Sequence, residues 1–172
     1  EVIIPKILQW SQTQADIIRW GKRKEEIYRE LGKIEGIPIL KGMKEFLHSL
    51  KSEKIPCVIG TSTEKENLSL AFSQLNIGHY FEGSICSEDV SQGKPDPEVF
   101  LKAAKIIEQK PENCVVLEDS THGIEAAKTG GMKALGLLTT KKESELFTSG
   151  ADQVINDPTM LNISLLQSLF VN

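Results

Sequence analysis

The sequence predicts a three-layer α/β protein in which a parallel β-sheet is buried between helices. Two observations support this prediction: from about residue 38 onward, short apolar runs alternate with longer segments of helical periodicity, and the apolar runs are continuous, as in strands covered on both faces. The composition agrees, because 172 residues with 40% hydrophobic and 26% charged residues can bury a core of ordinary size.

The elements follow one another in a regular order. Residues 6–32 carry apolar side chains at helical spacing between Pro5 and Gly32, which predicts one or two amphipathic helices. Gly36 and Pro38 then mark a connector, so we expect a domain boundary near residue 38. Beyond it we predict helices over 42–53, 63–76, 97–108, 122–130, 143–149 and 159–170, and strands over 56–60, 84–87, 114–118, 133–138 and 153–155.

Charge and cysteine content narrow the function classes. With 20 basic against 24 acidic residues and a net charge of −4, the chain lacks the basic excess of a nucleic-acid binder. Three cysteines without a Cys-x-x-Cys pair indicate reduced core thiols. No stretch approaches the ~20 apolar residues that span a bilayer, and no signal peptide is evident. We expect an intracellular protein, in the cytoplasm or an organelle matrix or stroma, and the missing initial Met indicates a processed or truncated chain.

Thr61 and Ser62 follow the first predicted strand, where ligands of parallel α/β sheets bind. Two interpretations remain open for this segment. Thr63 and Glu66 have the spacing of a capping box, which would make the segment a helix cap. Alternatively, Thr61 and the amides of the helix start hold an anion, which the helix dipole favours.

Lys94 lies in the segment SQGKPDPEVF, between Gly93 and two prolines that restrict the backbone. We expect Asp96 to be the N-cap and Pro97 the first residue of the next helix. For an isolated lysine, a solvated surface charge would be the simpler interpretation. A rigidly held ammonium group is, however, what a phosphoryl-transfer site needs to offset the charge of the transferring group.

Glu118 and Asp119 end the apolar strand CVVLE, and either Ser120 or Thr121 can cap the helix that follows. Carboxylates at the end of a buried strand lose solvation unless they are paired or bind a metal, and oxygen ligands of this kind suit Mg²⁺. The alternative is that Asp119 itself caps the helix. We also expect Gly123 to let that helix pack closely.

The three segments, in this order, resemble the haloacid dehalogenase superfamily, in its helical-cap phosphatase branch of β-phosphoglucomutase-like and phosphoglycolate phosphatase-like enzymes. The resemblance covers about residues 36–156: Thr61 in CVIGTST, Lys94 in GKPDP and the acids of VVLEDSTHGIEAA match three of the family's motifs. It implies a Rossmann-like parallel sheet with a partial helical cap. Residues 1–37 would be the C-terminal part of the cap, and residues 38–172 the core domain.

The resemblance further implies a Mg²⁺-dependent phosphomonoester hydrolase that acts on a small phosphorylated metabolite through an aspartyl-phosphate. In that scheme Asp119 binds Mg²⁺, and Glu118 assists directly or through water. Thr61 and the Ser62 N–H group hold phosphate oxygens, while Lys94 bridges the nucleophile and the phosphate. Neither nucleic acid nor a membrane is an expected partner.

The family's first motif, DxDGT, has no match, because the sequence contains no Asp-x-Asp. The resemblance places that motif on a central strand between the strands that end at Thr61 and Asp119, so we expect both the strand and the nucleophile outside this chain. Either an upstream segment supplies them, or a protein partner completes the fold of an inactive interaction subunit. A β-phosphoglucomutase-like phosphomutase is the alternative enzyme.

Overall fold

The computed structural model describes residues 13–171. All five predicted strands are present and alternate with helices, which confirms the α/β class. The helices are α1 (Gln14–Glu35), α2 (Met43–Ser52), α3 (Lys65–Leu75), α4 (Glu98–Ile106), α5 (Thr121–Thr129), α6 (Glu143–Thr148) and α7 (Ile163–Ser168). The strands are β1 (Val58–Gly60), β2 (Gly83–Ile85), β3 (Val115–Glu118), β4 (Lys133–Leu137) and β5 (Gln153–Ile155).

The strands form two parallel sheets, with the orders β1-β2 and β3-β4-β5. Between β1 and β3 the described residues provide no strand, so the predicted sheet is divided at this point. Burial follows the pairing: β4 has a neighbour on both sides and four of its five residues are buried, whereas none of the three residues of β1 is fully buried. β1 and β3 are therefore edge strands within residues 13–171.

Helices cover both faces of the larger sheet, as expected for a three-layer protein. On β4, Ala134 packs into a cluster with Val99 of α4 and Ile124 of α5. Its neighbour Leu135 packs on the opposite face with Phe46 of α2. Successive side chains of a strand point to opposite faces, so each face of β4 has its own core.

Two compact units divide the chain. One contains residues up to Pro38 together with residues 66–76, and the other contains residues 39–65 and 77–171. In the first unit, the side-chain amide of Asn67 donates to Glu25 at 2.6 Å, and its oxygen accepts from Arg29 at 3.0 Å. Asn67 is only 3% exposed, so these bonds satisfy a buried amide. All five strands lie in the second unit.

Two predicted helical segments differ from the structure. The segment predicted over residues 6–32 contains one helix that begins at Gln14 and continues to Glu35, with Thr13 as its N-cap; residues 6–12 lie outside the described residues. The helix predicted over 159–170 is divided into a short turn (Pro158–Met160) and α7. The division occurs because the Asn162 side chain accepts the Leu165 N–H group and so starts a new helix.

The three cysteines are free thiols. Cys86 is fully buried, whereas Cys57 and Cys114 are partly buried. Burial raises the pKa of each thiol above its ordinary value, which keeps all three protonated. Among residues 13–171, none of the helices is both long and apolar enough to cross a membrane.

Candidate active site

Lys94 joins the ends of β1 and β3. Its Nζ donates to Glu118 Oε2 at 2.8 Å and to the Gly60 carbonyl at 3.4 Å, and it lies 4.6 Å from the centre of the Phe100 ring. The side chains of Lys94 and Glu118 are only 12% and 11% exposed. The structure thus does not show the solvated surface lysine that was the simpler interpretation.

Gly60 and Phe100 form the close packing beneath this ammonium group. A Cβ atom at Gly60 would lie 2.9 Å from the Phe100 ring, so only glycine lets α4 approach the end of β1 this closely. The Phe100 ring in turn faces the Lys94 ammonium, which is a favourable cation–π arrangement. Phe100 could not be recognised from the sequence, because a phenylalanine in an amphipathic helix is ordinarily a core residue.

The loop that carries Lys94 is tied to Glu98. Glu98 Oε2 accepts hydrogen bonds from the Ser91 N–H group, the Ser91 hydroxyl and the Gln92 N–H group, all at 2.7–2.9 Å. Its other oxygen pairs with Lys102 at 2.6 Å. The Lys102 ammonium, followed by the Gln92 and Ser91 donors, lowers the pKa of Glu98 to about 2. Glu98 therefore remains ionised and holds the loop.

The start of α4 differs by one residue from the expectation. The helix begins at Glu98, and Pro97 rather than Asp96 occupies the N-cap position. Asp96 still caps the helix chemically, since its Oδ1 accepts the Glu98 N–H group at 2.9 Å. The peptide bond between Lys94 and Pro95 is cis.

Glu118 also binds the first turn of α5. Its Oε1 accepts from the Ser120 hydroxyl at 2.7 Å and from the Ser120 N–H group at 3.2 Å. The Ser120 oxygen in turn accepts the Gly123 N–H group, so Ser120 is the N-cap and the alternative cap, Asp119, is wrong. A Cβ atom at Gly123 would lie 2.0 Å from Glu118 Cδ, which explains the glycine.

Asp119 points to a different partner. Its Oδ2 accepts a hydrogen bond from the Thr139 hydroxyl at 2.6 Å, whereas its neighbour Glu118 binds Lys94 and Ser120. The adjacent positions of Glu118 and Asp119 predict a paired set of acids and do not point to Thr139 as a partner. Its position is a signal, because Thr139 is the second residue after β4 and thus lies near a strand end, as Thr61 does directly after β1.

The segment after β1 is tied to the loop after β2. The Thr61 hydroxyl oxygen accepts the Thr63 N–H group at 3.1 Å, and the Thr61 N–H group donates to the Ile85 carbonyl at 2.9 Å. The first amide of α3, Lys65 N–H, donates to Glu88 Oε1 at 3.0 Å, and this bond lowers the pKa of Glu88. A carboxylate of the chain itself thus occupies one amide at the predicted anion site. Ser62 is exposed and makes no hydrogen bond within residues 13–171.

The donor set for a divalent metal is small. Within residues 13–171 no group of three or more His, Cys, Asp or Glu side chains could hold a metal. Both Glu118 oxygens accept hydrogen bonds from the protein, so Asp119 is the carboxylate with capacity for a further ligand. Mg²⁺ is commonly bound through one or two carboxylates, with water and substrate phosphate supplying the other oxygens. The residues present fit that pattern.

The fold and these strand ends define the class of parallel α/β proteins that bind ligands at the carboxyl ends of their strands. A family model for the haloacid dehalogenase-like hydrolases matches residues 5–137. The chain therefore belongs to this family, as its motifs predicted.

Individual proteins are also similar to this chain over most of its length. The chain is 35% identical over 170 residues to the chloroplastic 5-amino-6-(5-phospho-D-ribitylamino)uracil phosphatase of Arabidopsis thaliana, covering 98% of this chain and 44% of that protein. It is 32% identical over 145 residues to the β-phosphoglucomutase of Bacillus subtilis, covering 84% and 61%. A haloacid dehalogenase-like hydrolase from Entamoeba histolytica matches its structure with a TM-score of 0.89 at 25% identity, covering 99% and 78%. The chain thus spans less than two thirds of the length of these two sequence relatives.

Proposed function

We propose that this chain carries most of the active site of a Mg²⁺-dependent phosphomonoester hydrolase for a small phosphorylated metabolite. The observation that supports it best is the buried Lys94 ammonium, fixed at the strand ends by Glu118 and the Gly60 carbonyl. A cation held in this way costs no reorganisation when charge develops on a transferring phosphoryl group. The sequence relatives named phosphatase support the same reaction class.

Each site residue has a separate role in this proposal. The Thr61 hydroxyl and the Ser62 N–H group hold phosphate oxygens, and Lys94 bridges the phosphate and the nucleophile. Asp119 binds Mg²⁺, and Glu118 assists through water while it keeps Lys94 in place. The metal, when bound, would draw the anionic phosphate towards the anionic nucleophile and neutralise charge between them.

The nucleophile in this proposal is an aspartate from outside residues 1–172. Its carboxylate attacks the phosphorus atom and displaces the alcohol of the phosphomonoester, and water then hydrolyses the aspartyl-phosphate and releases phosphate. The sequence has no Asp-x-Asp, and β1 and β3 belong to separate sheets with no strand of residues 13–171 between them. A cavity of about 750 Å³ lies there, lined by apolar side chains of both strands and of α2, α4 and α7. These lining residues all belong to the unit formed by residues 39–65 and 77–171.

The hydrogen-bond pattern at this cavity fits a strand parallel to its neighbours. The Cys57 carbonyl accepts from the Glu82 N–H group, and the Thr61 N–H group donates to the Ile85 carbonyl. The backbone groups of residues 57, 59 and 61 therefore face β2. By alternation, those of Val58 and Gly60 face the cavity. The Lys133 N–H group donates to Cys114, so the groups of Val115 and Leu117 likewise face the cavity from β3.

A strand in this position would satisfy both edges. Each buried backbone group left unpaired costs about 1–3 kcal/mol, so the edges favour an extended, apolar segment. A segment parallel to β1 and β3 would end beside Thr61 and Asp119. An aspartate at its carboxyl end would meet the phosphate there. Either a further segment of the same polypeptide or a protein partner would supply it.

The test is the hydrolysis of p-nitrophenyl phosphate with Mg²⁺ by the longest natural polypeptide that contains these residues. We expect turnover that Lys94→Ala reduces by at least about 100-fold, as removal of a transition-state donor does. Asp119→Asn should also reduce turnover, because an amide is a weaker ligand for Mg²⁺ than a carboxylate. Lys110→Ala, at a side chain that is 79% exposed, serves as the matched control. Absence of turnover in the wild type, or full activity in both site variants, would contradict the proposal.

Two alternatives have specific support. The 32% identity to a β-phosphoglucomutase favours a phosphomutase, which would form an isomeric sugar phosphate instead of releasing phosphate. The missing Asp-x-Asp favours an inactive interaction subunit. Phosphate release measured against isomer formation separates the first alternative, and a stable partner with no turnover identifies the second.

The cap and the compartment belong to the same proposal. We place residues 1–37 in the later part of a helical cap and residues 38–172 in the core domain. The three free thiols favour a reducing, intracellular compartment, either the cytoplasm or an organelle matrix or stroma. The net charge of −4 argues against nucleic acid as a partner.

A further inference from the structure

Thr139 is a polar residue that follows β4 and has no role in the reaction proposed above. The pairing of β3 with β4 explains how it reaches Asp119. Glu118 is in register with Gly136, so the chain directly after β3 runs beside the chain directly after β4. The hydroxyl of Thr139 and the carboxylate of Asp119 meet there at 2.6 Å.

The backbone around Thr139 is fixed independently of Asp119. The Leu138 N–H group donates to the Ile155 carbonyl at 2.9 Å, which ties this turn to the end of β5. The Thr139 N–H group donates to the Leu137 carbonyl at 3.1 Å. The hydroxyl is therefore presented by an anchored turn rather than by a free loop.

The bond leaves one side of Asp119 open to a ligand. It uses Oδ2, and no other residue in the range 13–171 donates to Oδ1. A carboxylate held at one oxygen has fewer rotamers to lose when the other oxygen binds a cation. Partners that orient a metal ligand in this way are worth about 10- to 100-fold in metal affinity.

We propose that Thr139 is a positioning residue that fixes the Asp119 carboxylate for a divalent cation. The proposal rests on the proposed function only in so far as Asp119 is the metal ligand. Thr139 would not touch the substrate, and its effect would reach the reaction through the metal. Loss of the hydroxyl should therefore raise the Mg²⁺ concentration needed for half-maximal activity, while kcat at saturating Mg²⁺ stays near the wild-type value.

The chain offers a matched control, because Thr140 is the next residue in the same turn. Thr139→Val removes the hydroxyl at nearly constant volume, Thr139→Ser retains it, and Thr140→Val makes the same change one residue away. Binding of Mn²⁺ to the longest natural polypeptide, followed by electron paramagnetic resonance, measures cation affinity without turnover. Thermal unfolding of each variant shows whether it is folded.

We expect Thr139→Val to weaken Mn²⁺ binding by about tenfold, and Thr139→Ser and Thr140→Val to bind like the wild type. Wild-type affinity in Thr139→Val, or equal weakening in Thr140→Val, would overturn the role of Thr139 while leaving the metal site intact. If the wild type does not bind Mn²⁺, or if Asp119→Asn binds it equally well, the metal site at Asp119 fails and the role of Thr139 fails with it. Hydrolysis of p-nitrophenyl phosphate by the wild type and by Lys94→Ala tests the proposed function separately.

Discussion

The Nζ of Lys94 lies 2.8 Å from Glu118 Oε2, and the two side chains are about nine-tenths buried. This ion pair joins a loop before α4 to the end of β3, which are 24 residues apart in the sequence. Glu118 thereby accepts a hydrogen bond from Lys94 at one oxygen and from Ser120 at the other. The stability of the strand ends and the position of the ammonium group consequently depend on the same carboxylate.

Removal of one member of this pair should destabilise the protein markedly. Lys94→Ala leaves the Glu118 charge buried without its partner, and we expect a loss of about 3 kcal/mol in the free energy of unfolding, measured with urea. The exposed pair of Lys110 and Glu112, at 3.9 Å, is the control, and Lys110→Ala should change stability by less than about 1 kcal/mol. The double variant Lys94→Met with Glu118→Gln should lose less stability than the sum of the losses measured for Lys94→Met alone and Glu118→Gln alone. Additive losses would show that the pair is not coupled.

Gly123→Ala should displace Glu118. The added Cβ would lie 2.0 Å from Glu118 Cδ and 2.4 Å from its Oε1, so the carboxylate must move away from Lys94. We expect a loss of about 1–3 kcal/mol in the free energy of unfolding, as is typical of overpacking. Gly21→Ala, on α1, adds a Cβ that would meet no other part of the protein within 4 Å outside the adjacent helix backbone, and should instead stabilise the protein by about 0.5–1 kcal/mol. If both variants unfold at the same urea concentration, steric contact with Glu118 is not the reason for the glycine.

Much of this arrangement could be predicted from local sequence patterns. Continuous apolar runs and strand-end polar residues located β1, β3, Thr61, Lys94 and the two acids, because these signals depend only on neighbouring residues. The separate partners of Glu118 and Asp119 could not be predicted. They depend on Lys94 and Thr139, which the fold brings to β3 from 24 residues before Glu118 and 20 residues after Asp119.

The terminal helix and the divided sheet are two further features that local sequence patterns did not predict on their own. The apolar spacing over 159–170 predicted one helix, but the Asn162 side chain caps α7 inside that segment and so divides it. The separation of β1 from β3 was expected only because the resemblance places a strand between them. Neither strand's own residues indicate whether its second edge is paired.

Glu98 should make the stability of the protein depend on acidity. Its pKa is about 2 in the folded protein against an ordinary value of 4.5, so the folded form favours the ionised carboxylate. The stabilisation is complete above about pH 4.5 and decreases as the pH falls towards 2. Glu98→Gln should therefore be less stable than the wild type at pH 7, and the two proteins should converge near pH 2. The exposed Glu112→Gln is the control, and a wild-type advantage that is the same at pH 7 and pH 2 would contradict this assignment.

Hydrogen exchange should distinguish the two edges of β1 and β3. In the 172-residue chain, the amides of Val58, Val115 and Leu117 face the cavity, whereas those of Ile59 and Val116 face a paired strand. One net hydrogen bond is worth about 1 kcal/mol, so the cavity-facing amides should be protected about fivefold less than their immediate neighbours. Addition of the segment or partner that completes the sheet should remove this alternation, since every amide of both strands would then donate to a carbonyl. Uniform protection along β3 in the 172-residue chain alone would mean that its second edge is already paired, and the proposed position of the nucleophile would have to be abandoned.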